Sequence, residues 1–393
     1  MFQTRRRNLV NNISQLGMNM VLIDSPSNLY YYTGFTGGEA MFFMQMTDDA
    51  GGYIITDSRY YEQVEQECPD LTLIRMENNG YSYCVKDLLE KIHSEEIGRK
   101  DSNCIADKIA ISDDNNRIAN KVAISADNNR IAVEATMNLE QYLKLCEMCP
   151  QYQFEIAKSV ILESRMVKDE TELQLLTQAE SIGDAAFTHI LDYIKPGVTE
   201  ADIALEIEFF MKRQGASKLS FDTIVASGPN SSMPHAQVTN RKLQNGDFVT
   251  MDFGCVYQGY CSDMTRTVAI GEPTEEMKKV YQIVLDANLR AMDAIQEGVK
   301  CNEIDAIARN YIKEQGYGDY FGHGLGHGVG LDIHEEPRFS PKCEVVTKAN
   351  MVITDEPGIY LPGKFGVRIE DLVVVKKKGY ERLSHSEKKL IIL

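Results

Sequence analysis

Two acidic residues stand in a segment of the chain that is otherwise typical of a buried hairpin. Asp252 lies in the strand-like run Phe248–Val256, and Asp263 lies in the run Tyr260–Ile270. If the hairpin is symmetric about Tyr257-Gln258, the two carboxylates face each other across the strands. Like charges in that position destabilise a sheet, and buried carboxylates need a shared proton or a cation. The hairpin therefore predicts a site for a proton or a metal ion.

A second hairpin repeats this arrangement further along the chain. The runs Met351–Tyr360 and Gly366–Val375 flank the turn Pro362-Gly363-Lys364, so that Glu356 faces Glu370. One opposed acidic pair could be a solvated pair on the protein surface. Two such pairs, each among apolar residues, indicate that the four carboxylates serve one function, and metal ligation is the chemistry that they fit.

Histidines supply a further type of ligand. His323 and His327 are four residues apart within Gly322–Gly328, where glycines allow close approach of backbone and ligand, and His334 follows seven residues after His327. Four carboxylates and one imidazole suit divalent ions such as Mn²⁺, Co²⁺, Fe²⁺ or Zn²⁺. Because four carboxylates exceed what one tetrahedral zinc ion takes, we expect two ions bridged by carboxylate.

The elements that must position these residues fall into two groups. Strands alternate with helices in residues 1–163, which predicts an α/β domain with strands at Met20–Ile23, Met41–Met44 and Tyr53–Ile55 and another at Phe154–Leu162. In residues 164–393, helices are followed by strands twice over. This order predicts an α+β domain built from two similar halves.

A tandem repeat interrupts the first domain. Residues 107–119 match residues 120–132 at 10 of 13 positions, and a degenerate third copy begins at Arg130. Two copies of 13 residues are too short to stack as a solenoid. We interpret the repeat as a local duplication of one strand and its turn.

Composition limits the partners and the compartment. The net charge of −17 argues against nucleic acid and against an anionic membrane surface, and no apolar run reaches the ~18–20 residues of a membrane helix. Nine cysteines without a disulfide framework fit reduced thiols, and the basic N-terminus lacks the apolar stretch of a signal peptide. A cytoplasmic protein is the expectation.

These motifs together resemble those of the pita-bread metallopeptidases, which share the creatinase and methionine aminopeptidase fold. The resemblance implies five metal ligands, namely Asp252, Asp263, His327, Glu356 and Glu370. It extends to a creatinase-type N-terminal domain through Asn28–Phe35 and Thr56–Tyr60, and so covers nearly the whole chain outside the repeat. Both domains with all five ligands are typical of the aminopeptidase P and prolidase branch. The resemblance implies two divalent ions, with Mn²⁺ as our first expectation, and a homodimer.

The same branch implies the substrate and the catalytic groups. The substrate is a small peptide with proline at the second position, and metal-activated water attacks the first peptide bond. Glu356 is expected to shuttle the proton, while His334 or His235 stabilises the oxyanion. The remaining residues implied to contact substrate are His323, Arg338, Phe221 and Tyr360.

Three functions remain open on these residues. We predict an Xaa-Pro aminopeptidase first. An Xaa-Pro dipeptidase (prolidase) is the alternative, since it needs a cation for the proline carboxylate that Arg338 could supply unless Arg338 pairs with Glu335 or Glu336. A non-catalytic peptide-binding module on the same fold is the third, although such modules characteristically lose metal ligands.

Overall fold

The computed structural model describes residues 1–46, 50–77, 80–106 and 129–393. These residues group into two units, Met1–Ser164 (unit 1) and Arg165–Leu393 (unit 2), with the boundary inside a helix. Among the described residues, no helix combines the length and the apolar character that a membrane crossing requires.

Unit 1 is built around one sheet of six short strands. In chain order its elements are α1 (Phe2–Gln15), β1 (Met20–Ile23), α2 (Pro26–Thr33), β2 (Met41–Gln45), β3 (Tyr53–Thr56), α3 (Tyr61–Glu67), β4 (Thr72–Arg75), α4 (Tyr81–Ala106), β5 (Arg130–Val133), α5 (Leu139–Met148), β6 (Gln153–Ile156) and α6 (Lys158–Met166). The strand order is β4-β3-β2-β1-β5-β6, and the sheet is mixed, with β2 antiparallel to both of its neighbours. The prediction of an α/β domain is therefore confirmed, as are the predicted strands β1, β2 and β3.

The expected strand Phe154–Leu162 is wrong in its second part. Strand β6 ends at Ile156, and helix α6 begins at Lys158. Ala157, Ile161 and Arg165 are buried after the strand, and their four-residue spacing is that of one helix face. Short apolar runs do not distinguish a buried strand from a buried helix, and here the helix forms.

Most of the tandem repeat, residues 107–128, lies outside the described residues, so the predicted duplication of a strand stays a prediction. The degenerate third copy is described. It forms β5, which pairs in parallel with β1 on one side and with β6 on the other.

Unit 2 consists of two helix pairs, each packed on its own group of strands. Its elements are α7 (Glu170–Ile190), α8 (Glu200–Arg213), β7 (Lys218–Leu219), β8 (Ile224–Ser227), β9 (Phe248–Phe253), β10 (Cys255–Tyr257), β11 (Tyr260–Cys261), β12 (Met264–Ala269), α9 (Glu275–Met292), α10 (Cys301–Glu314), β13 (Gly326–Gly328), β14 (Glu335–Phe339), β15 (Val352–Asp355), β16 (Gly358–Leu361), β17 (Phe365–Arg368), β18 (Asp371–Val375) and β19 (Tyr380–Arg382), with short 3₁₀ turns at Gly228–Ser232 and Gly318–Tyr320. One apolar core joins α7 and α8 to β8, β9 and β12. A second joins α9 and α10 to β15, β17 and β18. The expected α+β fold of two similar halves is confirmed.

Both helices of the first pair begin with reciprocal caps. The Asp169 side chain accepts a hydrogen bond from the Glu172 amide while the Glu172 carboxylate accepts one from the Asp169 amide, and Thr199 and Asp202 do the same for α8. These caps start α7 at Glu170 and α8 at Glu200.

The first acidic hairpin has a different register from the one expected. Thr265, and not Asp263, lies opposite Asp252, because the turn is centred on Gln258-Gly259 and not on Tyr257-Gln258. Gln258 has φ of 47° and Gly259 has φ of 91°, and two positive φ values define the tight turn whose twist suits a hairpin. The shift is by two positions, so Asp252 and Asp263 stay on one face as diagonal neighbours.

The second acidic hairpin has the expected register. Asp355 pairs with Asp371 and Ile359 pairs with Val367, which leaves Glu356 and Glu370 in the gap between two ladders. Pro357 lies in that gap and has no amide hydrogen to continue the ladder. Both glutamates lie outside the ladders, and their amides donate to the carbonyl oxygens of Leu325 and Thr265.

We expect Gln258→Val to destabilise the protein by about 1–2 kcal/mol, because a β-branched residue pays the full steric cost of a left-handed conformation. Gln258→Asn should be neutral or slightly stabilising, since asparagine tolerates that conformation. Urea unfolding of both variants measures the difference. Equal stabilities would mean that the turn is centred elsewhere.

Candidate active site

A cavity of about 470 Å³ in unit 2 gathers nearly all the residues that the sequence predicts as functional. This volume is typical of a site for a small ligand. The predicted residues in its lining are Phe221, His235, Asp252, Asp263, His323, His327, His334, Arg338, Glu356 and Glu370. Tyr360, expected to contact substrate, does not line the cavity and is buried behind it.

Three of the expected metal ligands lie close enough to share one ion. Ligand atoms of Asp263, His327 and Glu370 are all within 4.8 Å of one another, and all three residues are buried. They come from the start of β12, from β13 and from the start of β18. Strand β13 approaches β15 closely because Gly326 has no side chain: a Cβ there would lie 1.9 Å from the Thr354 carbonyl oxygen.

The neutral imidazole of His327 presents an unprotonated nitrogen to two carboxylates. Its Nδ1 lies 3.1 Å from the carbonyl oxygen of Gly328, which can only accept, so Nδ1 carries the hydrogen. Nε2 then faces Asp263 Oδ2 at 3.5 Å and Glu356 Oε1 at 3.4 Å. Burial lowers the pKa of His327 to about 3, so these contacts are not ion pairs at neutral pH. A lone pair facing two carboxylates fits a cation between them.

The carboxylates of the candidate ligands also repel one another. Burial, and then the charges of Glu370, Asp252 and Glu356, hold the pKa of Asp263 well above its usual value. Burial and the charges of Glu356 and Asp252 do the same for Glu370. Burial also raises the pKa of Glu356 to about 7, although Arg368 opposes the shift. In addition, the buried Asp252 Oδ1 has no hydrogen-bond partner among the described residues. The donor set therefore fits divalent cations, which would relieve the repulsion and occupy the unpartnered oxygen.

Arg368 partly offsets this negative charge. Its Nη2 donates to Asp252 Oδ2 at 2.6 Å, and its Nε donates to Thr265 Oγ1 at 2.9 Å. The Thr265 hydroxyl in turn donates to Glu370 Oε2 at 2.6 Å. One arginine and one threonine thus orient carboxylates from both hairpins.

A hydrogen-bonded chain leads from Arg368 to His323. Arg368 Nη1 donates to the Tyr360 hydroxyl at 2.9 Å, and that hydroxyl lies 3.0 Å from His323 Nε2. Because His323 Nδ1 bonds to the Gly324 carbonyl at 2.8 Å, Nε2 must accept the Tyr360 hydrogen. Burial lowers the pKa of His323 to about 4, which agrees with a neutral ring in this role.

The rim of the cavity carries more accessible groups. His235 and His334 are exposed, and the His334 ring lies 4.5 Å from the His327 ring. Burial and the Arg338 charge lower the pKa of His334, so its ring is neutral at pH 7. Arg338 makes no ion pair with Glu335 or Glu336, because Glu335 pairs instead with Lys168 Nζ at 3.1 Å and with Arg165. The alternative interpretation of Arg338 as a salt-bridge partner is therefore wrong.

Three contributors to the site were not predicted. Thr265 shares a strand face with Asp263, and the alternation of the strand could have revealed it. Thr354 donates to Glu356 Oε1 at 3.2 Å and accepts from the His327 amide at 3.0 Å. Glu180 of α7 accepts a hydrogen bond from the Asp263 amide at 3.2 Å, and no local pattern could have indicated a contact across 83 residues.

Comparison with known proteins gives a consistent picture over both units. The sequence profile of metallopeptidase family M24 matches residues 174–377, and that of the creatinase/prolidase N-terminal domain matches residues 5–167. An Xaa-Pro dipeptidase from Pyrococcus horikoshii is 44% identical over 239 residues, which are 61% of this chain and 68% of the relative.

Two solved structures match over nearly their whole length. An Xaa-Pro dipeptidase from Bacillus anthracis has a TM-score of 0.86 at 35% identity and covers 100% of both chains. An X-Pro aminopeptidase from Thermotoga maritima has a TM-score of 0.82 at 34% identity and covers 99% of both chains.

We expect Thr265→Val to lower the affinity for Mn²⁺ by roughly 10–100-fold, because Glu370 and Arg368 both lose the hydroxyl that orients them. Thr250→Val is the matched control: this buried threonine lies on the neighbouring strand and bonds to Thr267 Oγ1 at 3.0 Å, not to a candidate ligand. Titration calorimetry on chelator-treated protein gives both affinities. The same affinity in both variants would rule out the orienting role.

Proposed function

This chain belongs to metallopeptidase family M24, and on that basis we propose that it is an Xaa-Pro dipeptidase that uses two divalent metal ions. Its family membership makes it a metallopeptidase, not a binding module. The similar proteins named Xaa-Pro dipeptidase support the alternative from the sequence better than the aminopeptidase that we predicted first. The cleaved bond would be the one that precedes proline in a two-residue peptide.

The observation that carries this proposal is that Arg338 is available to bind a carboxylate. It lines the cavity as a cation with no carboxylate partner in the part of the chain that the structure describes. A dipeptide places its own carboxylate one residue beyond the scissile bond, whereas a longer peptide has a neutral amide there. A guanidinium is well suited to hold a carboxylate through two parallel hydrogen bonds.

Asp252, Asp263, His327, Glu356 and Glu370 are the residues that would hold the ions. Four carboxylates and one imidazole offer more ligand atoms than one ion needs, and they suit Mn²⁺ as well as Co²⁺, Fe²⁺ or Zn²⁺. When bound, divalent ions supply Lewis acidity that acidifies water and polarises a carbonyl group.

The other steps fall to side chains of the cavity. Arg338 binds the substrate carboxylate and so sets the length of the peptide. Neutral His334 donates an N–H to the carbonyl oxygen as negative charge develops on it, with His235 as the alternative donor on the rim. Glu356 takes the proton from water and delivers it to the proline nitrogen as the peptide bond breaks. His323 acts through Tyr360, since its free nitrogen already accepts the tyrosine hydrogen.

An Xaa-Pro aminopeptidase remains the second candidate, because the T. maritima protein with that name matches almost the whole chain. The two functions differ in what occupies the position beyond proline. Only the dipeptidase requires a negative charge there.

We expect Ala-Pro to be hydrolysed with a kcat/KM at least 10-fold above that of Ala-Pro-Gly or Ala-Pro amide. Arg338→Gln should lower kcat/KM for Ala-Pro by roughly 30–100-fold, as loss of a charge-assisted pair costs about 2–3 kcal/mol, and leave Ala-Pro amide within about threefold. Arg213→Gln, an exposed arginine of α8 outside the cavity lining, is the control. Faster cleavage of the tripeptide would replace the dipeptidase by the aminopeptidase.

A second experiment separates the ligands from the substrate contacts. His327→Ala should lose metal, whereas His334→Ala and His323→Ala should keep it, with kcat falling by roughly 10²–10³ for His334→Ala if an oxyanion contact is lost. Metal content by mass spectrometry and turnover are measured on all three variants. Similar metal loss in all three would show that the roles of the histidines are wrongly assigned.

A further inference from the structure

The segment that carries His334 has no regular secondary structure. It comprises residues 329–334, between β13 and β14, and we call it the His334 segment. An exposed side chain on such a segment needs anchoring on both sides if it is to meet a substrate atom at a fixed distance. The contacts of the residues before and after His334 therefore show how its position is fixed.

One guanidinium bonds to both flanks of His334. Arg165 Nη2 donates to Asp332 Oδ2 at 2.9 Å, two residues before the histidine, and to Glu335 Oε1, one residue after it. The Asp332 amide also donates to Glu335 Oε1 at 3.2 Å, which closes the segment on itself. A second cation also contacts Glu335, because Lys168 Nζ lies 3.1 Å from its Oε2.

Burial makes this contact a rigid one. The Arg165 side chain is 4% exposed and the Glu335 side chain 7% exposed. Burial raises the pKa of Glu335, but Lys168 and Arg165 outweigh this and lower it, so the carboxylate stays ionised. Gly330 allows the carboxylate to lie against the backbone, since a Cβ there would meet Glu335 Oε1 at 2.5 Å. A buried ion pair of this kind is costly to break from one side.

We propose that Arg165 is a positioning residue for peptide hydrolysis, which fixes His334 over the cavity by holding Asp332 and Glu335 together. This inference rests on the proposed function for the role of His334 at the carbonyl oxygen. Arg165 is not among the residues that line the cavity, and it reaches the His334 segment through Asp332 and Glu335. Both bonds come from the Nη2 nitrogen, whose two hydrogens are fixed in the plane of the guanidinium, whereas the ammonium of a lysine rotates about its last carbon–nitrogen bond and fixes neither direction.

A double-mutant cycle with Arg165→Lys and His334→Ala tests the proposal. Arg165→Lys should lower kcat for Ala-Pro by roughly 10-fold with KM changed by less than about threefold, because a small displacement of a catalytic group costs turnover more than binding. Adding Arg165→Lys to His334→Ala should change kcat by less than about twofold, since the two residues act on one interaction. Metal content should equal that of the parent.

Arg130→Lys is the matched control. It makes the same substitution at a two-point ion pair of unit 1, where Arg130 Nη2 lies 2.7 Å from Glu155 Oε2. If Arg165→Lys does not fold, Asp332→Asn takes its place in the cycle, because Asp332 is half exposed and the substitution removes only one arm of the contact.

Losses that multiply in the double variant would overturn the proposal, as would an unchanged kcat in either single variant. A measurement that needs no substrate tests the positioning role of Arg165 separately from the proposed function. In ¹⁵N-histidine-labelled protein, the ring signals of His334, assigned by their absence in His334→Ala, should shift in Arg165→Lys and not in Arg130→Lys. Absence of hydrolysis by the parent would reject the dipeptidase, whereas unshifted His334 signals would reject the positioning role.

Discussion

The repulsion among four carboxylates is the constraint on which the rest of unit 2 depends. Asp252, Asp263, Glu356 and Glu370 converge in one cavity, and burial removes the water that would otherwise screen them. Arg368 contributes one positive charge, which is too little for four negative ones. Such a cluster is stable only with protons or cations, and the metal ions that we propose would supply the positive charge. Binding of the proposed ions would therefore also stabilise the folded state.

The two halves of unit 2 share the work of building this cluster. Each half contributes one hairpin with one acidic pair, and each hairpin lies against its own helix pair and its own apolar core. The candidate ligands therefore lie within or directly beside packed strands: Asp252 in β9, His327 in β13, and Asp263, Glu356 and Glu370 next to strand ends. The groups proposed to contact substrate are placed differently. Arg338 lies in β14, but His235 and His334 lie on connecting segments, and ion pairs of Asp332 and Glu335 with Arg165 hold the flanks of His334.

Sequence reasoning predicted that the four carboxylates lie close together because hairpins convert spacing along the chain into proximity. The two-residue error in the first hairpin did no harm to the ligand set, since a shift by two keeps every side chain on the same face. Contacts between distant segments were beyond its reach. Glu180 and Asp263 are 83 residues apart, and Arg165 and Glu335 are 170 residues apart, so no periodicity connects them. The placement of Tyr360 behind the cavity likewise depends on the tertiary position of Arg368.

Ion pairs keep the negative charge of Glu335 apart from the positive charge of Arg338, which lines the cavity. Glu335 immediately follows His334 and lies three residues before Arg338, and an unpaired carboxylate there would compete with substrate for the guanidinium. Arg165 and Lys168 take up Glu335 from the buried side, which leaves Arg338 without an acidic partner in the described part of the chain. The buried contact between Arg165 and Glu335 thus has two effects. It holds the segment that carries a neutral histidine, and it keeps a positive charge available where the substrate carboxylate is expected. A loss of this pairing would alter both the orientation of His334 and the electrostatic environment of Arg338, which is why the Arg165 side chain matters although it lies outside the cavity lining.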